Sequence, residues 1–179
     1  MSEVSPFQVW RARTTFLAVG LGFVAWQVVP FDLSAGRLPW PDVFYCITMV
    51  YVIRCPEYAP VWAIFAVFFM RDVLTMAPLG LTTLLMVFGT EIVRANIQAF
   101  REYAFGLEWL WVAGIFAGIV LGGHIILGLT LSQAPRLLDQ VWLILFTAAA
   151  YPVTVFSLKF GFGFERPQPG EFDAYGRRL

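Results

Sequence analysis

The chain predicts an all-α protein, a polytopic bundle of six transmembrane helices, and three observations carry that expectation. Apolar residues fill 59% of its 179 positions and charged ones only 13%, about half the charged share of a soluble domain. Six uncharged apolar runs follow one another with almost nothing polar between them. The basic residues then divide unevenly between the gaps. With the N-terminus inside, nine (Arg11, Arg13, Arg54, Arg94, Arg101, Lys159, Arg166, Arg177 and Arg178) lie on the inner side and three (Arg37, Arg71 and Arg136) on the outer. That split obeys the positive-inside rule and puts both termini in the cytoplasm. Formal net charge is zero, so no global field points to nucleic acid.

The first run, 14–31, follows Arg11 and Arg13 and is long enough to cross about 30 Å of hydrocarbon. Ser34, Ala35 and Gly36 have the small side chains of a signal-peptide cleavage site, but the segment reads as a retained signal-anchor. The second and third runs, 43–53 and 58–70, are too short to cross alone. Each is expected to borrow flanks, 38–42 for the second and Arg71 with Asp72 for the third, or to sit as a short helix shielded by its neighbours. Joining 43–70 into one broken span would reverse the basic count and strand Arg54 in the membrane, so six spans are preferred to five.

The fourth, fifth and sixth runs, 73–90, 109–135 and 140–158, are of spanning length. Prolines mark the turns between runs at Pro30, Pro39, Pro41, Pro56, Pro60, Pro78, Pro135, Pro167 and Pro169. Pro152 is different, because it lies inside the sixth run, where it should kink the helix and free a carbonyl for a neighbour to satisfy. Between the fourth and fifth runs, 91–108 keeps helical spacing, with Ile97, Phe100, Ala104 and Leu107 on one side and Arg94, Gln98 and Arg101 on another. A surface helix, a solvated extension of the fourth span and a docking face for a cytoplasmic partner all fit that pattern. The domain division is a cytoplasmic N-terminus at 1–13, a membrane domain at 14–164 and a loose cytoplasmic tail at 165–179.

Gly114, Gly118 and Gly122 recur every four residues in the fifth run, on one helix face that another backbone can approach closely. The expected occupant is another helix of the same chain, the sixth with its alanines at 148–150, rather than a partner protein. Among polar residues the candidates for function are Asp72, Arg71, Glu57, Glu91 and Arg54, all at or near span ends. A charge in the membrane is costly, so such an acid is either paired or functional. Asp72 follows Arg71 directly, but adjacent helical residues do not face one another. A proton relay would need a second carboxylate beside Asp72, and spacing forces none there; interfacial snorkelling or a structural pair is expected.

No catalytic, cofactor-binding or metal-ligating residue is expected. His124, the single histidine, excludes a haem held by two histidines and reads as a hydrogen-bonded histidine inside the bundle. Neither H-E-x-x-H nor G-x-S-x-G is present. Cys46 and Cys55 would lie about 13.5 Å apart along one helix, too far for a disulfide, and read as buried thiols. Gly161 and Gly163 alternate with Phe160, Phe162 and Phe164 and read as an interfacial aromatic anchor, not a phosphate loop.

From the first loop to the fourth span the chain reads Leu38-Pro-Trp-Pro-Asp42, Arg54-Cys-Pro-Glu-Tyr-Ala-Pro60, Arg71-Asp72 with Asp72-Val-Leu74, Pro78-Leu-Gly80, and Gly89-Thr-Glu91 with Arg94. That succession resembles the bacterial rod shape-determining MreD family, in its alphaproteobacterial version, over roughly residues 36–96. Cys55 is a variant of the family's R-P-[DE]-Y element. The resemblance implies a non-enzymatic inner-membrane subunit of the cell-elongation complex, a scaffold regulating lateral peptidoglycan synthesis and rod shape. It implies binding to the bitopic protein MreC and contact with RodA, its penicillin-binding transpeptidase, membrane lipid and, through MreC or the inner loops, MreB filaments. It also implies a fold similar to the S components of energy-coupling-factor transporters, which supplies an alternative: the substrate-binding subunit of a vitamin-type transporter. No family residue is carried over as catalytic.

Overall fold

The computed structural model describes residues 6–28, 39–76, 78–130 and 135–162, and among them the chain is all-α, with seven helices and no strand. The small residues 34–36, Gly163, Phe164 and the tail at 165–179 lie outside the described residues.

Helix α1 spans Pro6–Val28, so it starts eight residues before the first apolar run and carries the basic 11–13 segment as helix. Helix α2, Val43–Arg54, does not lengthen through 38–42. Pro39 and Pro41 disfavour helix there, and the Asp42 side chain caps the helix by accepting from the Tyr45 N–H. At 12 residues it is about 18 Å long, and ten of the twelve are buried.

Helix α3, Val61–Leu74, extends the third run by taking in Arg71 and Asp72, as expected. The fourth run, however, is not one span. Its first two residues end α3, a turn follows, and α4 occupies Leu81–Ala95. Met76 at φ 52° and Gly80 at φ 82° take left-handed backbone, and Pro78 between them lacks an N–H, so a helix cannot run through.

The 91–108 interval resolves into three pieces: the end of α4, a turn at Asn96, and the short α5 at Ile97–Glu102. Helix α6, Phe105–Leu129, then begins four residues before the fifth run and brings Glu108 into its first turn. Helix α7, Leu137–Phe162, continues through Pro152.

Two helices, Phe105–Leu129 and Leu137–Phe160, are long and apolar enough to cross a membrane. Only 17% and 22% of their most apolar windows are buried, which separates them from the core helices of a soluble domain. Their exposed faces carry large apolar side chains, among them Leu110, Leu121, Ile125, Leu145, Val153 and Phe156.

Helix α2 packs against α7, α4 and α5, while α3 packs against α1 and α4, and α6 against α4 and α7. The α1 approach is close because Gly20 has no side chain: a Cβ there would stand 2.8 Å from both Phe44 and Val67. Rings then fill the centre, with Phe44 at 5.2 Å from Phe68 and 5.8 Å from Phe16, and Tyr45 at 4.5 Å from Phe116.

Candidate functional site

The charges inside the bundle collect at the two ends of α2. At the Asp42 end, the Arg71 Nη1 of α3 lies 2.6 Å from Asp42 Oδ2. Asp42 Oδ1 accepts from Tyr45 N–H at 3.0 Å, and the Asp42 N–H donates to Thr147 Oγ1 of α7 at 2.9 Å. One residue thus caps its own helix and ties two others to it. The Arg71 guanidinium also stands over the Phe68 ring, 5.8 Å from its centroid. Asp72 turns the other way, and its Oδ2 accepts from Thr83 N–H at 3.1 Å and Thr83 Oγ1 at 2.8 Å. Thr83 sits in the first turn of α4, where backbone N–H groups have no helical acceptor, so Asp72 of α3 acts as the cap that Gly80 cannot supply.

At the Arg54 end, three helices meet on one carboxylate. Glu108 Oε1 of α6 accepts from the Tyr151 hydroxyl of α7 at 2.7 Å and lies 3.4 Å from Arg54 Nη2 of α2. Arg54 and Glu108 are 7% and 1% exposed, so the pair has left water altogether. Tyr45 adds a further tie from α2 to α6, its hydroxyl donating to the Val112 carbonyl at 2.7 Å.

Below that cluster, arginines hold the loop between α2 and α3. Arg94 donates from Nη1 to the Pro56 carbonyl at 3.3 Å and from Nη2 to the Ala59 carbonyl. Its Nε lies 3.0 Å from Glu91 Oε1 without the alignment of a hydrogen bond. Arg13 Nε donates to the Glu57 carbonyl at 2.9 Å, so it is the backbone of Glu57 that is engaged there.

The five polar residues singled out in the sequence therefore do not form one site. Arg71 and Asp72 share the Asp42 end but have separate partners, Arg54 belongs to the buried Glu108 cluster, and Glu57 and Glu91 lie at the loop below it. Sequence reasoning missed Asp42, Thr83, Glu108, Thr147 and Tyr151. Asp42 had a usable signal, an aspartate directly before an apolar run and after two prolines.

The glycine face also differs from expectation. A Cβ on Gly114 or Gly118 would meet nothing within 4 Å, and at Gly122 only Leu85 at 3.9 Å. Helix α7 does not cover it, because α6 meets α7 through Glu108 and Trp109, the latter donating to the Ala148 carbonyl at 2.7 Å. Gly114 and Gly118 instead line an open apolar groove of about 790 Å³ between α4 and α6, with Phe88, Ile92, Leu110 and Trp111 among its other walls. His124 is partly buried, and its Nδ1 has no hydrogen-bond partner among the described residues, contrary to the bonded histidine expected. Cys46 and Cys55 are free thiols, the first buried and the second half-buried.

No group of three or more His, Cys, Asp or Glu side chains able to hold a metal occurs among the described residues. Chemically, the buried carboxylates serve as acceptors that tie one helix to another. No family model matches the chain, and no curated protein or solved structure matches it either.

Proposed function

We propose that the chain is a six-span scaffold of the bacterial inner membrane, an MreD-like subunit of the cell-elongation complex with both termini cytoplasmic. The observation that carries this reading is the use of its buried carboxylates: Asp42, Asp72 and Glu108 each accept from a different helix of the same chain. Charges spent on holding helices together suit a rigid platform for other membrane proteins, and they suit less well a site that must bind and release a solute. On this reading α1, α6 and α7 cross the membrane at full length. Helices α3 and α4, about 21 to 22 Å long, cross with help from their polar ends, and α2 is shielded by its neighbours.

The function that follows is non-enzymatic: binding an MreC-like bitopic protein and, through it, RodA, its transpeptidase and MreB. Deleting the gene is expected to round the cells, and the tagged protein is expected to co-purify with the bitopic partner. A specific loss of vitamin uptake in deletion cells that keep their rod shape would replace the scaffold with the transporter subunit.

A further inference from the structure

We infer that the outward face at the start of α1, built from Phe7, Trp10 and Arg11, binds the phosphate of an anionic phospholipid headgroup. The inference goes beyond the scaffold reading and takes from it only the leaflet, the cytoplasmic one. Three observations carry it.

The first is placement. Phe7, Trp10 and Arg11 are spaced three and four residues apart on one side of α1, and all three are exposed, whereas Phe16, Gly20 and Val24 on the other side are buried in the bundle. Uncharged sequence begins at Thr14, so Arg11 stands three residues, about 4.5 Å, outside the apolar stretch and within the headgroup layer that flanks the hydrocarbon core. The second is a ring held in place. Arg13 donates from Nε to the Glu57 carbonyl at 2.9 Å and holds its guanidinium 5.7 Å from the centroid of the Trp10 ring. The loop between α2 and α3 therefore sets where the indole lies, and Trp10 still keeps 57% of its surface exposed for an interfacial contact.

The third is charge, and it selects the occupant. Arg11 takes part in no ion pair among the described residues, and Glu57, the acid of the adjoining loop, is met through its carbonyl by Arg13 on the opposite side of α1. An exposed guanidinium presents parallel N–H groups that match a phosphate. The aromatic rings beside it suit a layer that is apolar on one side and wet on the other, which a headgroup region is and a dissolved anion is not. A zwitterionic headgroup would bring its own ammonium group next to two guanidiniums, so an anionic headgroup of the phosphatidylglycerol type is favoured. A second copy docked through the same face about a twofold axis would set Arg11 against Arg11.

The test uses the full chain, purified in mild detergent and offered phosphatidylcholine and phosphatidylglycerol in equal amounts, with the retained lipid counted by native mass spectrometry. The parent is expected to keep phosphatidylglycerol in preference, and Arg11→Gln to retain about fivefold less of it while melting like the parent. Trp10→Ala is expected to lower retention several-fold as well. Lys159→Gln, which removes an exposed cation from the cytoplasmic end of α7, is expected to leave retention unchanged. Full retention in Arg11→Gln would overturn the site, and an equal loss in Lys159→Gln would overturn it in favour of diffuse attraction to basic residues. Inorganic phosphate that protects the lipid-free parent from melting as well as phosphatidylglycerol does, but not Arg11→Gln, would overturn the lipid in favour of a soluble anion. None of these readouts involves the bitopic partner. A chain that keeps its lipid preference but recovers no partner loses the scaffold reading alone, and one that recovers partner without lipid preference loses this inference alone.

Discussion

The Trp109 indole nitrogen donates to the Ala148 carbonyl at 2.7 Å, the same carbonyl that Pro152, four residues on, deprives of its helical donor. A tryptophan of α6 thus completes a hydrogen bond that the sequence of α7 leaves open. Replacing Trp109 with Phe is expected to cost about 1 kcal/mol of stability in mixed micelles. In a Pro152→Ala background, where the helix supplies its own donor, the same change is expected to cost less than half as much. Equal costs in the two backgrounds would show that the indole contact is incidental.

The pair between Asp42 and Arg71 joins α2 to α3, and either partner alone leaves a charge behind. Arg71→Ala and Asp42→Ala are each expected to destabilise the bundle by about 3 kcal/mol. Asp42→Ala should be the worse of the two, since it also removes the cap on Tyr45. The double variant should cost clearly less than the sum, and strict additivity in chemical unfolding would argue against a direct pair.

At the other end of α2, Glu108→Ala leaves Arg54 buried without its counter-charge and is expected to cost about 3 to 5 kcal/mol. Tyr151→Phe removes one hydrogen bond to the same oxygen and is expected to cost about 1 kcal/mol. The order of the two effects, read from melting in detergent, is the check.

Glycines in α4 and α6 should respond in opposite ways. Gly89→Ala places a Cβ 2.9 Å from Ile115 Cγ2 and 3.0 Å from Ile119 Cδ1, an overpacking worth about 1 to 3 kcal/mol. Gly118→Leu projects into open space and should stay within about 0.5 kcal/mol of the parent. A comparable loss in both would mean that the groove is filled from within the chain.

Topology follows from the basic count rather than from any contact. Alkaline-phosphatase fusions after Gly36 and after Ser132 are expected to be active and one after Tyr103 inactive. Activity at Tyr103 would remove the six-span arrangement.

The helices themselves were legible in the sequence because apolar runs and prolines are local signals. Pro152 was legible for the same reason: the lost N–H and the freed carbonyl both follow from one residue. The break inside the fourth run was harder, since Pro78 and Gly80 stand in an otherwise uncharged stretch and length alone favoured one span. Long-range pairs were not legible at all. Asp42 finds Arg71 across 29 positions and Arg54 finds Glu108 across 54, and no periodicity reports which helices will touch. The glycine spacing put three residues on one helix face expected to pack against α7, but spacing on one helix cannot say whether the face looks inward or outward, and a Cβ on Gly114 or Gly118 meets nothing within 4 Å.

Helix α2 carries a consequence for biogenesis. When its 12 residues leave the ribosome they are too short and too charged at both ends to partition into lipid by themselves. The partners that neutralise them emerge later: Arg71 soon after, Glu108 only with α6, and Thr147 and Tyr151 only with α7. A chain that stops before residue 105 lacks the Glu108 carboxylate, so on the six-span reading Arg54 is expected to stay unpaired and α2 protease-accessible until α6 has been made.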